Sequence, residues 1–213
     1  MGGTGTEIKG NRQNQMLQKL IPVEIVLSPE WWNKNAGITF DRDFFFHPLK
    51  RVESEQKMEQ VLYEKWGKYG LGGERNQVRP EIGAVHLAAG FVLSGMMGCE
   101  LRFSENHPPQ VIPAQRDDLS LSVDDAFRSD DFKAFLQLTE KLKQKYGYLT
   151  GDVNWGGILN LAIDLRGEGL FTDLLMYPDR VSDYFRTISR IIERFVAGIQ
   201  SETGTSSISV NRN

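Results

Sequence analysis

Short apolar runs alternate along this chain with long amphipathic patterns, and the alternation limits the possible folds. A strand repeats its buried face every two residues and a helix about every 3.6, so one segment cannot satisfy both. Ile21 to Leu27 reads as a short strand, and Ser28-Pro29-Glu30 then turns into a loop carrying Trp31 and Trp32. Leu49 to Tyr63 reads as a helix: Val52, Met58, Val61 and Leu62 interrupt a charged sequence, and the Gly-rich stretch Gly67 to Gly73 ends it. Ala84 to Ala88 is a second expected strand. Gly90 to Leu101 is too rich in Gly and Met to assign, and the polar stretch with His107-Pro108-Pro109 and Pro113 reads as an exposed connection.

The second half carries the stronger periodicity. From Asp124 to Tyr146, Phe127, Phe135, Leu138 and Leu142 predict one amphipathic helix, with Lys141, Lys143 and Lys145 near its C-terminus where the helix dipole favours cations. Tyr148 to Asn154 predicts a third strand, and Ile158 to Leu165 a helix that stops at Arg166-Gly167-Glu168-Gly169. Tyr177-Pro178-Asp179 then opens a long helix whose apolar face is Val181, Phe185, Ile188, Ile192, Phe195 and Ile199. Ser206 to Val210 predicts a last strand. Strands separated by crossover helices imply parallel βαβ units, so the expected fold is α/β, a TIM-type (β/α)8 barrel left incomplete at about four βα units. The expected division is a flexible leader over residues 1–20 and one barrel portion over 21–213.

Composition narrows the function classes. The 25 Lys+Arg against 28 Asp+Glu leave a formal charge of -3, which offers no basic excess for nucleic acid or an anionic membrane. A single cysteine, Cys99, excludes an internal disulfide framework and fits a reducing cytoplasm. No segment has a signal-peptide core or the length of a membrane span, and the opening glycines lack the Gly-Lys-Ser/Thr ending of a phosphate loop. The expected partner is a small-molecule substrate, with no nucleic acid and no membrane, and the expected localisation is cytoplasmic.

The stretch Gly151-Asp-Val-Asn-Trp-Gly-Gly-Ile-Leu-Asn-Leu-Ala-Ile-Asp-Leu-Arg-Gly167, followed by Leu170-Phe-Thr-Asp-Leu-Leu-Met-Tyr-Pro-Asp-Arg-Val181, resembles the uroporphyrinogen decarboxylase-like superfamily. Phe44-Phe45-Phe46-His47-Pro48 and Met97-Gly98-Cys99-Glu100-Leu101 resemble that family's early helix entry and its Leu-Gly-x-Glu-Val segment. The resemblance runs from about Ile21 to Val210 and implies the N-terminal part of a barrel, in a family of tetrapyrrole decarboxylases and corrinoid-linked methyltransferases.

Two departures bear on the substrate. Where true uroporphyrinogen decarboxylases carry Met-Arg-Gln-Ala-Gly-Arg, this chain reads Ser28-Pro-Glu-Trp-Trp-Asn-Lys-Asn35, with no arginine. No aspartate falls between Gly83 and Gly95, where the family's pyrrole-gathering residue belongs. The resemblance therefore implies a divergent decarboxylase-type lyase acting on an unidentified substrate, non-porphyrin or modified from the porphyrin metabolism of the family. The alternatives are a cobalamin-dependent, corrinoid-linked methyltransferase, and a non-catalytic assembly protein or fragment. No cofactor is evident and no metal is expected in this chain; zinc or a corrinoid would need ligands beyond Asn213.

Barrel sites lie at the C-terminal ends of strands, which selects Trp31, Trp32, His86, Asn154, Trp155, Asn211 and Arg212 as substrate-binding candidates. His86 is the weak catalytic candidate because histidine titrates near neutrality; its alternative role is a hydrogen-bonded interior residue. Asn154 could donate to a ligand or cap the following helix. The three tryptophans could line a pocket for a planar ligand or pack loops against the fold. Arg212 could pair with a carboxylate. Asp118, Asp124 and Asp125 read as acids at helix starts, His47 as a helix-start residue and His107 as merely exposed. An open barrel edge would favour a homo-oligomer.

Overall fold

A computed structural model of the chain describes residues 27–73, 91–149 and 155–204. The first helix, α1 (Pro29–Ala36), starts where the Ser28 hydroxyl accepts from the Trp31 amide and proline occupies the first turn. It stops at Gly37, whose φ of 61° most side chains avoid. Trp31 and Trp32 therefore sit on a helix and not on the loop expected from the sequence. Asp41 caps α2 (Arg42–Phe46), and His47 caps α3 (Pro48–Trp66), which a 3-10 turn at Gly67–Tyr69 extends.

The stretch left unassigned in the sequence divides into α4 (Phe91–Met96) and β1 (Glu100–Arg102). The expected connection after it contains β2 (Gln110–Ile112). The helix expected over Asp124 to Tyr146 is two: α5 (Val123–Ala126) and α6 (Asp130–Tyr146). Ser129 causes the break, because its hydroxyl accepts from the Phe132 amide and starts a new helix. Three further helices follow, α7 (Ile158–Arg166), α8 (Gly169–Met176) and α9 (Pro178–Thr203). Among the described residues no helix is long and apolar enough to cross a membrane.

The incomplete (β/α)8 barrel is overturned. The described residues are 67% helical, and their sheet is one antiparallel pair, β1 on β2, with Leu101 opposite Val111. An antiparallel pair needs no crossover helix, so the helices are free to pack on one another. Of the four expected strands, Leu27, Tyr148 and Leu149 are described and are not in strands; the remainder lies outside the described residues. The barrel's open edge, the surface expected to drive homo-oligomers, goes with the barrel.

The core explains why helices meet helices. Val181, Tyr184, Ile188, Ile191, Ile192, Phe195 and Ile199 form the buried stripe of α9, at spacings of three and four that keep one face inward. That stripe covers α7, α8 and α5, while α6 crosses α3 and α4. Around Phe44 the rings of Phe40 and Phe45 lie at 4.7 and 4.9 Å, and Phe45 continues to Phe91 at 5.1 Å, so an aromatic cluster joins α2 to α4. Arg51, 2% exposed, lays its guanidinium 4.8 Å above the Phe44 ring and reaches Glu55 at 3.0 Å.

Candidate functional site

The expected site residues do not converge. Trp32 is core, 3% exposed, and Trp31 stands edge-on to it at 5.0 Å and 5.6 Å from Trp66, so the pair fastens α1 to α3. Trp155 is half-buried against the core. None of the three lines the cavity described below. His86, Asn154, Asn211 and Arg212 lie outside the described residues. Gly157 holds the N-cap position of α7. His47 does cap α3, its Nδ1 accepting from the Lys50 amide at 3.3 Å, and His107 is exposed. Asp124 and Asp125 fall in the first turn of α5. Asp118 instead closes a loop, accepting from the Ser120 amide and hydroxyl at 3.0 and 2.6 Å.

Polar chemistry concentrates elsewhere, in a seam between the β1–β2 hairpin and the end of α7. The last carbonyls of a helix lack partners inside it. Here Asp164 O accepts from the Ala114 amide at 2.8 Å and Leu165 O from the Arg116 amide at 2.9 Å, which docks the segment after β2 onto α7. The Cys99 thiol adds a third contact, donating to Asp164 O at 3.4 Å, and Ser94 Oγ donates to Asp164 Oδ2 at 2.8 Å. Arg166, at the helix end where a cation is favoured, donates Nη1 to Arg116 O and Nε to Asp173 Oδ2, both at 2.7 Å. Arg116 completes the seam through Nη2 to Met97 O and Nη1 to Ser120 O.

Burial sets the protonation of this cluster. It pushes the Cys99 thiol up to about 11, with the neighbouring Asp164 charge adding to the rise, so the folded chain holds Cys99 as the thiol at neutral pH. Burial also raises Asp164 against the opposing hydrogen bond from Ser94. Tyr184, 2% exposed, is pushed up to about 12 by burial, and its hydroxyl has no hydrogen-bond partner among the described residues. Arg116, Cys99, Arg166 and Asp118 all bear on that phenol. Among the described residues no three His, Cys, Asp or Glu side chains gather to hold a metal ion.

Beside the seam lies a cavity of about 470 Å³, within the range of small-molecule sites. Met97 and Gly98 line one part, Ser120, Leu121 and Ser122 another, and Asp125 stands among the lining residues with the Arg116 guanidinium. Gly98 suits this position because its φ is 102°, and an added Cβ would come 3.0 Å from Arg116 Nη2, so the guanidinium would have to shift by a few tenths of an ångström. The lining offers the Arg116 cation and the Ser120 and Ser122 hydroxyls beside the Asp125 carboxylate, and the guanidinium suits recognition of an anionic or carbonyl oxygen better than nucleophilic attack.

Sequence reasoning missed Arg116, Asp164, Asp173 and Tyr184 as site residues, although two of them carry a legible signal. Asp164 interrupts the apolar run from Ile158 to Leu165, and Asp173 interrupts Leu170 to Met176. An acid embedded in an apolar helical run is either on a wet face or paired, and here both are tied to the seam. Arg116 carries no such signal, since nothing local distinguishes it from a solvated loop arginine. Compared with known protein families, curated proteins and solved structures, the chain matches none.

Proposed function

We propose that the chain is the substrate-binding part of a decarboxylase-type enzyme whose substrate is a small, non-porphyrin carboxylic acid, held by its carboxylate at Arg116. One observation carries the reading. The stretch Met97 to Leu101 and the stretch Gly151 to Val181, which bear the resemblance to the uroporphyrinogen decarboxylase-like family, meet where the Cys99 thiol donates to Asp164 O, next to a cavity that Arg116 lines. Arginine suits this role because its planar fork keeps donors available for a carboxylate while other donors hold backbone carbonyls. The non-porphyrin assignment rests on the missing arginines and aspartate of the tetrapyrrole enzymes.

The test uses the full-length gene product, incubated with uroporphyrinogen and, separately, with small mono-, di- and tricarboxylic acids, following carbon dioxide release. Release from at least one small acid and no coproporphyrinogen is the expected outcome. Efficient coproporphyrinogen formation would overturn the substrate class, and no release from any acid would overturn the reaction class.

A further inference from the structure

The Arg116 cavity is lined by a charge of each sign. Asp125 lines it together with Arg116, yet among the described residues no ion pair joins the two. Opposite charges left apart in one cavity are each available to a ligand of matching charge. The Arg116 guanidinium donates to Met97 O and Ser120 O, which fix its place and leave it further N–H donors.

An acid in the first turn of a helix ordinarily serves the helix itself, and the two acids of α5 differ on this point. Asp124 reaches Arg194 at 3.3 Å. Asp125 has only the loose 3.8 Å contact with Arg128, in which both side chains are largely exposed. Its amide donates to Ser122 Oγ at 3.2 Å, which holds a hydroxyl of the cavity lining next to this residue. An ammonium group has three N–H donors to satisfy, and a carboxylate and a hydroxyl both accept. A simple carboxylate entering this cavity meets the Asp125 charge as well as the Arg116 charge, and the like charge works against it. A guest that carries an ammonium besides its carboxylate matches both. The apolar part of the lining, Met97, Leu121 and Ala126, suits the carbon chain of such a guest.

From the separate Arg116 and Asp125 charges in one cavity, we infer that the acid bound there is an amino acid, its carboxylate at Arg116 and its ammonium at Asp125 and Ser122. The inference rests on the acid-binding reading at Arg116 and narrows its substrate class.

Calorimetric titration of the full-length protein compares the straight-chain ω-amino acids from glycine to 6-aminohexanoate with the simple acids of the same length, from acetate to hexanoate. At least one amino acid is expected to bind about tenfold or more tightly relative to its matching acid, because the chain length that spans the two charges gains both contacts. Asp125→Asn is expected to erase that preference by moving the two classes in opposite directions, weaker for the amino acid and tighter for the simple acid. Arg116→Met is expected to weaken both. Simple acids that bind through Arg116 as tightly as every amino acid overturn the inference and leave the acid-binding reading standing, as does a preference that survives Asp125→Asn. Binding of neither class, or binding indifferent to Arg116→Met, overturns that reading and the inference with it.

Discussion

Replacing Asp173 with alanine is expected to lower the stability of the fold by about 3 kcal/mol, a large fraction of what holds a domain together. Asp173 is 7% exposed and takes Arg166 Nε at 2.7 Å. Removing the carboxylate leaves a guanidinium at a largely buried position with one charge partner fewer, which is the costly way to break such a pair. The effect should spread beyond α8, because Arg166 also donates to Arg116 O and so holds the segment after β2 against α7. The double variant Arg166→Met with Asp173→Leu removes both charges and is expected to recover much of the loss. Urea denaturation of Arg166→Met, Asp173→Leu and the double variant decides it: near-additive losses in the double variant would mean that the two side chains do not act as a pair.

A second large effect is expected on the alkaline side. The Cys99 thiol rises from an ordinary 9.0 to about 11, and the Tyr184 phenol from 10.0 to about 12, both chiefly through burial. Each is an acid that the folded chain keeps protonated to higher pH than the unfolded chain does. Between those limits the unfolded state therefore binds fewer protons, and stability falls as pH rises. The contribution is complete below about pH 9 and fades through 11 and 12, on the order of 2 kcal/mol for each group. Urea midpoints at pH 7.5, 9.5 and 10.5 should drop steeply for the wild type and less steeply for Cys99→Ala and for Tyr184→Phe. Tyr184→Phe should cost nothing at pH 7.5, since its hydroxyl has no partner among the described residues to lose. Variants that fall as steeply as the wild type would show that neither group is protected in the way the structure implies.

The helices were far more legible than the strands. A stripe such as Val181 to Ile199 repeats over many turns, and caps such as Ser28 and Pro178 mark where helices start, so local sequence carries the information. Short apolar runs carry much less, because a run of five or so residues is compatible with a strand, a buried helix or a packed loop. Such runs predict parallel strands, whereas β1 (Glu-Leu-Arg) and β2 (Gln-Val-Ile) are three-residue segments whose antiparallel pairing joins residues eight to twelve positions apart. The site was hidden for a related reason. Arg116 is an unremarkable loop residue until Leu165 O, Met97 O and Ser120 O hold it in place, and those partners lie far along the chain as well as near it.

The account stands most directly on whether Arg116 receives a carboxylate. Calorimetric titration of the full-length protein with small carboxylic acids tests this, with Arg116→Met and Asp125→Asn as variants. Asp125 is exposed and its contact with Arg128 is a loose 3.8 Å, so its replacement leaves the fold intact while removing a negative charge from the cavity lining. The account predicts saturable binding of at least one acid, a loss of at least tenfold in affinity for Arg116→Met, and tighter binding for Asp125→Asn. No binding by the wild type, or binding indifferent to both substitutions, would contradict it.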